Sequence, residues 1–174
     1  MIFVTVGTHE QPFDRLVKEI DELKYQGVIE ADVFMQTGYS LYKPQYCKYS
    51  EFLPFDTMMS YLKNTECIIT HGGTGSIMLA LYNDKIPVVF PRQKKFNEHI
   101  DDHQVIFTKT LEQKKKIIAV YDSSDLAMTI RKYNELAKEI FDQYNIESKD
   151  ILSKSTLFSQ KINDICVNLV NRHD

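Results

Sequence analysis

Cysteine is scarce in this sequence and poorly placed for cross-linking: Cys47, Cys67 and Cys166 are odd in number, far apart and without the paired spacing of a zinc knuckle. That arithmetic excludes a disulfide framework and points to a reducing, cytoplasmic setting. Long hydrophobic runs are also missing. Met1 is followed by Ile2, Phe3, Val4 and Val6, too short a stretch for a signal peptide or a membrane span, so any membrane contact is expected to be indirect. Positive charge is in short supply, with 21 Lys and Arg against 24 Asp and Glu and a net charge of −3, which argues against a nucleic-acid surface. The single basic run, Lys114 to Lys116, stands before an apolar strand pattern and reads as solvated. No repeat, low-complexity tract or Gly/Ser/Pro-rich linker divides the chain, so residues 1–174 are expected to form one domain.

What the sequence does contain is alternation. Residues 2–6 form a buried-strand run, followed by a bend at Gly7, Thr8 and His9, Pro12 at an opening helical position, and apolar residues Phe13, Leu16, Val17, Ile20 and Leu23 at helical spacing up to Gly27. Further strands are expected at 31–37, 47–52, 66–70, 87–90 and 117–121. Helices are expected at 55–62, after the glycines at 72–75, and at 98–109, with C-terminal helices over about 124–171 capped by Ser123 or Ser124. The last of these carries an apolar stripe from Phe158 to Leu169. Such alternation implies an α/β fold with a mostly parallel, Rossmann-like sheet covered by helices on both faces, whose ligands bind beyond the carboxyl ends of the strands.

The chain is organised around ECIITHGGTGS, residues 66–76, where an apolar strand feeds into Gly72, Gly73 and Gly75 and then into a helical pattern. Glycines there permit positive φ and close approach, and the helix N-terminus beyond them offers free amides and a positive dipole end to a phosphate. A tight turn with no ligand is the alternative. The bend is not a Walker loop, since no Lys-Ser or Lys-Thr follows, and the dinucleotide spacing fails because Met78 stands where a third glycine belongs. There is no Gly-x-Ser-x-Gly elbow, and Ser76 has no base at a recognised spacing. Loops 7–11, 70–76 and 91–99 all leave strand ends, and the period of the pattern brings them to one rim. Within them Arg92 and Lys94 can neutralise a diphosphate or simply be solvated. His99 and His103, four apart beside Asp102, can share a helical face around a divalent metal; alternatively Glu98 and His99 receive sugar hydroxyls and His103 is a capping or buried histidine, with Gln104 compatible with either. Phe52 and Leu53 follow a strand end and can flank a nucleobase or be core.

Three segments, FVTVGTHEQPFDRLV, ITHGGTGSI and PRQKKFNEHIDDHQ, in this order, resemble the C-terminal, donor-binding half of glycosyltransferases with the B-type fold. The resemblance covers about residues 1–107 and is to the small catalytic subunits of two-chain transferases. These are the eukaryotic subunit that adds the second GlcNAc to dolichol-diphosphate-GlcNAc and, closer in its Pro-Arg and Glu-His-x-x-Asp-His-Gln, bacterial capsule and exopolysaccharide subunits.

The resemblance implies a UDP-sugar donor, a polyprenyl-diphosphate-linked saccharide acceptor, inverting hexosyl transfer and a membrane-anchored partner subunit holding the chain at the inner face of the plasma membrane. Galactose is the favoured sugar, ahead of glucose, GlcNAc and glucuronic acid. Phe52 and Leu53 would surround uracil; Gly7, Thr8, His9, His71, Gly72, Gly73, Thr74, Gly75, Ser76 and Arg92 would hold the nucleotide diphosphate; Glu98, His99, Asp102, His103 and Gln104 would meet the sugar. No metal or other cofactor is implied. The general base is assigned to the partner, with His9 the candidate on this chain. One departure stands out: the glutamate that holds ribose in the similar cell-wall enzyme falls near Leu79 and Ala80 here. A UDP-sugar epimerase-like enzyme and a nonenzymatic nucleotide-binding or regulatory subunit are the alternative readings.

Overall fold

A computed structural model describes residues 1–147. Six strands, β1 (Ile2–Thr5), β2 (Val33–Gln36), β3 (Lys48–Ser50), β4 (Cys67–Thr70), β5 (Val88–Val89) and β6 (Ile118–Ala119), form one parallel sheet in the order β3-β2-β1-β4-β5-β6. Central β1 sets the register, with Ile2 opposite Val33 on one side and Cys67 on the other. The helices are α1 (Asp14–Tyr25), α2 (Phe55–Asn64), α3 (Thr74–Tyr82), α4 (His103–Gln113), α5 (Leu126–Arg131) and α6 (Tyr133–Glu147). This is the Rossmann-like α/β fold that the alternation implies. The chain winds outward from β1 to β3, then returns to the other side of β1 as β4. Between β1 and β4 the direction of winding reverses, the point at which sheets of this kind form a ligand crevice beyond their carboxyl ends.

Both faces of the central strands are buried, which is why they read as continuous apolar runs, whereas the edge strand β3 is exposed and polar. On one face Ile2, Val4 and Val6 pack with Leu16, Val17 and Ile20 of α1 and with Leu126, Tyr133 and Ala137 of α5 and α6. On the other, Phe3 and Ile68 pack with Leu62 of α2 and Ala80 of α3, while Ile77, Leu81, Val89 and Leu111 tie α3, β5 and α4 together. Each such side chain contributes about 1.5–3 kcal/mol when removed from water.

Polar chemistry fixes the tyrosine- and lysine-rich connection from β2 to β3. Asp21, buried on α1, accepts hydrogen bonds from the amides of Gln45, Tyr46 and Cys47 at 2.8, 2.9 and 2.9 Å and from the Tyr42 hydroxyl at 2.8 Å. Burial alone would raise the Asp21 carboxyl, but these donors hold it below its ordinary value. The buried carboxylate therefore acts as a knot for residues 42–47.

Several local expectations are corrected. Pro12 lies before the N-cap residue Phe13 rather than inside α1. The helix expected over 98–109 begins only at His103, because Lys94–Phe96 forms a 3-10 turn, Asn97 is left-handed with φ 58°, and Asp102 Oδ1 accepts from the Lys94 amide at 2.9 Å. Asp122, not a serine, caps the next turn by accepting from the Ser124 amide at 3.0 Å, and the following helix is divided at Lys132. The remainder of the helices expected to 171, including the stripe from Phe158 to Leu169, lies outside the described residues. Among the described residues no helix is long and apolar enough to cross a membrane.

Candidate functional site

Because β1, β4 and β5 are neighbours, the segments leaving their carboxyl ends meet at one rim, as the sequence periodicity implies. Arg92 binds them together. Its amide donates to the His71 carbonyl at 3.3 Å, Nη2 donates to the Val6 carbonyl at 2.9 Å, and Nη1 is shared among the carbonyls of Gln11 at 2.7 Å, Glu98 at 3.1 Å and Pro12 at 3.3 Å. The Phe13 ring lies 4.7 Å from the guanidinium carbon. Burial lowers the Arg92 pKa to about 10, still far above neutrality, so the cation persists. The sequence suggested a solvent-facing base able to reach a diphosphate; the side chain is wholly buried and holds loops instead.

His71, the residue immediately after β4, is a second internal support. Gly7 has φ +73° and a Cβ there would lie 2.5 Å from His71 Cε1, while a Cβ on Gly73 would collide with Nε2. The imidazole thus fills the gap between the first and second loops, and both glycines are required by its ring. Nδ1 sits 3.4 Å from the Thr5 carbonyl and 3.4 Å from Thr70 Oγ1. Burial first, then the Arg92 cation, pushes the His71 pKa down to about 3, so the ring is neutral at physiological pH. A neutral ring whose unfolded counterpart titrates near 6.5 makes the unfolded chain bind the extra proton, so stability is complete above pH 6.5 and lost as pH falls toward 3. Urea unfolding at pH 7, 6 and 5 is expected to give a loss of about 1 kcal/mol per pH unit below 6.5 from this group, and His71→Gln should flatten the slope by that amount. An unchanged slope in the variant would show that His71 is not the group responsible.

Beyond His71, Gly72 takes φ +86° beneath Pro91, and Gly73 is an extended N-cap with no side-chain hydrogen bond to the first turn of α3. That turn, Thr74, Gly75 and Ser76, contains no acid, leaving the positive end of the helix uncompensated. One part of the glycine reading is corrected. Gly75 is helical with open space where a Cβ would stand, so its backbone does not need glycine.

Of the residues expected to meet a sugar, the structure separates the internal from the accessible. Glu98 is buried and paired with Arg15 through contacts of 2.7 and 2.9 Å, and it also accepts the Gln93 amide at 3.0 Å. Gln104 is buried, its Oε1 facing the Arg92 amide at 3.3 Å. Both brace the rim from within in this conformation. Thr8, Asp102 and His103 are exposed, His9 is half-buried, and the His99 side chain is nearly buried. His9, from the first loop, meets His99 edge to face at 4.5 Å, and His99 meets His103 likewise at 4.4 Å. The histidines do come together, though not on one helical face.

Two contributors escaped the sequence reading. Arg15, on the polar side of α1, lies over the Phe90 ring at 4.1 Å and donates to the Pro91 carbonyl at 3.1 Å. Asp101 bonds His103 and approaches His99 Nδ1 at 3.3 Å. The His-x-Asp-x-His spacing was the available signal for Asp101; Arg15 offered none, because its partner is distant in sequence. At the opposite side of the crevice, Phe52 follows the carboxyl end of β3, half exposed at 42% and edge-on to Tyr39 at 5.2 Å. Leu53 packs against the Phe3 cluster. Three strand spacings of about 4.8 Å separate β3 from β4, roughly the reach of a nucleotide from base to diphosphate. Leu79 and Ala80 point to the core, and α3 carries no carboxylate.

Residues 1–162 match the glycosyltransferase family 28 C-terminal domain. The chain belongs to this family. Solved structures similar to this family 28 domain include the glycotransferase of kitacinnamycin (TM-score 0.62, 13% identity, 98% of this chain and 42% of that one). CalG4, the calicheamicin glycosyltransferase, is similar at TM-score 0.57 and 15% identity over 99% of this chain and 44% of that one. Os79 from O. sativa in complex with UDP follows at TM-score 0.55 and 15% identity, over 94% and 40%. At these identities the likeness is one of fold, and the family 28 chain spans less than half the length of these solved chains. No curated protein matches it in sequence.

Proposed function

We propose that the chain is the donor-binding subunit of an inverting UDP-sugar hexosyltransferase that extends a polyprenyl-diphosphate-linked saccharide in capsule or exopolysaccharide synthesis. The observation that carries this reading is the uncapped N-terminus of α3, set at the reversal point of the sheet between the β1 and β5 loops. Amides of Thr74, Gly75 and Ser76 would receive the diphosphate and stabilise UDP as it leaves, a task that fixed dipoles perform without a metal. Phe52 and Leu53 would take the uracil, and His99 and His103 the sugar, with galactose the favoured hexose. Inversion requires a base that deprotonates the acceptor hydroxyl opposite the departing nucleotide. His9 is the candidate on this chain; otherwise the base belongs to a membrane-anchored partner that brings the lipid-linked acceptor and places the pair at the inner face of the plasma membrane. The absence of a carboxylate on α3 for ribose favours one second reading, a nonenzymatic subunit that binds nucleotide.

Calorimetry with UDP is the first test, and heat of binding at submillimolar nucleotide is the expected result; silence at millimolar UDP would sink both readings. Transfer from a panel of UDP-sugars to a lipid-linked acceptor, with and without the partner, then distinguishes a catalyst from a binding subunit.

A further inference from the structure

Three side chains at the outer edge of the rim have the composition and spacing of a transition-metal site. His99, Asp101 and His103 each present one ligand atom within 4.8 Å of the others. His99 Nδ1 stands 3.3 Å from Asp101 Oδ1, and His103 Nδ1 bonds the same oxygen. Tetrahedral zinc with bonds of about 2.0–2.2 Å has ligand atoms about 3.3–3.5 Å apart, so the first pair already spans one edge of the polyhedron. The bend before α4 creates this arrangement. Asp102, beside His103 in sequence, is held by the Lys94 amide at 2.9 Å, whereas Asp101 points between the imidazoles. The His99 side chain is only 9% exposed, which restricts its motion, while Asp101 and His103 at 53% and 57% leave an approach from solvent. His9 packs edge-on to His99 at 4.5 Å without joining the three ligand atoms, so water would fill the fourth position.

We infer that His99, Asp101 and His103 form a binding site for a zinc-class divalent cation, completed by water, with His9 packed beside it from the first loop. Two imidazoles and one carboxylate select borderline cations such as Zn²⁺ or Co²⁺ over Mg²⁺ and Ca²⁺, which prefer oxygen. The cation is not a participant in UDP departure. It engages His99 and His103, so an occupied site opposes binding of the donor sugar while leaving the α3 terminus open, a consequence that rests on the function proposed above.

The test titrates Co²⁺ into the chelator-stripped full chain and follows visible absorption, then displaces it with Zn²⁺. One equivalent of Co²⁺ is expected to give the intense visible bands of a four- or five-coordinate ion. Asp101→Asn and His103→Ala, both at exposed positions, should each weaken binding at least as much as the roughly 10–100-fold that loss of a supporting partner costs a metal site. His9→Ala should weaken it less. Binding that survives both substitutions, or a near-ultraviolet sulfur-to-cobalt band placing the ion on a cysteine, would overturn the site. Calorimetry of UDP and of a UDP-sugar, with and without Zn²⁺, reads the consequence separately: Zn²⁺ should lower affinity for the sugar nucleotide and spare UDP, and equal effects on both would refute the antagonism. If UDP itself fails to bind, the transferase reading fails while the cobalt spectrum still decides the site.

Discussion

Replacing Gly75 by aspartate is expected to weaken UDP binding at least tenfold while leaving the protein as stable as before, or more so. Gly75 is helical, lies in the first turn of α3, and has open space where a Cβ would stand. Glycine costs a helix about 1 kcal/mol relative to alanine, and a carboxylate near a helix N-terminus contributes about 0.3–1 kcal/mol, so the fold has nothing to lose. A diphosphate at the same amides meets a fixed negative charge and loses donors to it; about 1.4 kcal/mol of repulsion already accounts for tenfold. Thermal unfolding and UDP calorimetry on one preparation check both halves. Unchanged affinity would remove the diphosphate from α3. Gly73→Asp, the substitution that the bare sequence invites, is a poorer probe, because any side chain there strikes His71 and damages the rim whether or not a ligand binds.

Arg92→Ala is expected to cost about 3–5 kcal/mol of folding stability, since each buried carbonyl left without its donor costs about 1–3 kcal/mol and some of the carbonyls recover water. The five backbone carbonyls that accept from its side chain and amide, those of Val6, Gln11, Pro12, His71 and Glu98, come from three separate segments of the rim. Without the guanidinium the four carbonyls it binds would be buried unpaired or the loops would separate. With total stabilities of 5–15 kcal/mol for most domains, such a loss is a large share. Urea denaturation measures it. Arg92→Lys should recover only part, since an ammonium cannot span Nη1 and Nη2 contacts in different directions. An Arg92→Lys protein that unfolds normally yet no longer binds UDP would reassign Arg92 to the ligand.

Periodicity revealed the fold because both faces of the sheet are buried: Ile2, Val4 and Phe3 must all be apolar, and no register slip can hide them. The meeting of the three loops was equally legible, since it follows from parallel topology. The roles of individual side chains were not. Arg92 and Glu98 look like surface charges in a polar stretch, and only the return of residues 11–15 over that stretch buries them. Gly72, Gly73 and Gly75 look alike in sequence, yet one needs positive φ, one needs to clear an imidazole and one needs neither. His-Ile-Asp-Asp-His suggested helical spacing, whereas the 3-10 turn and the left-handed Asn97 delay the helix and exchange Asp102 for Asp101.

The imidazole of His71, fitted between Gly7 and Gly73, acts as a gauge block for the crevice: its thickness sets the separation of the loops from β1 and β4. The three positions are consequently not free to drift one at a time. A methyl group at Gly73 requires a thinner residue at 71, one at Gly7 would in addition strain a left-handed backbone, and a thinner residue at 71 lets the gap close. Changes in crevice width therefore have to pair position 73 with position 71, while Gly7 stays fixed by its backbone, which makes that pair the natural handle for resizing the site by design.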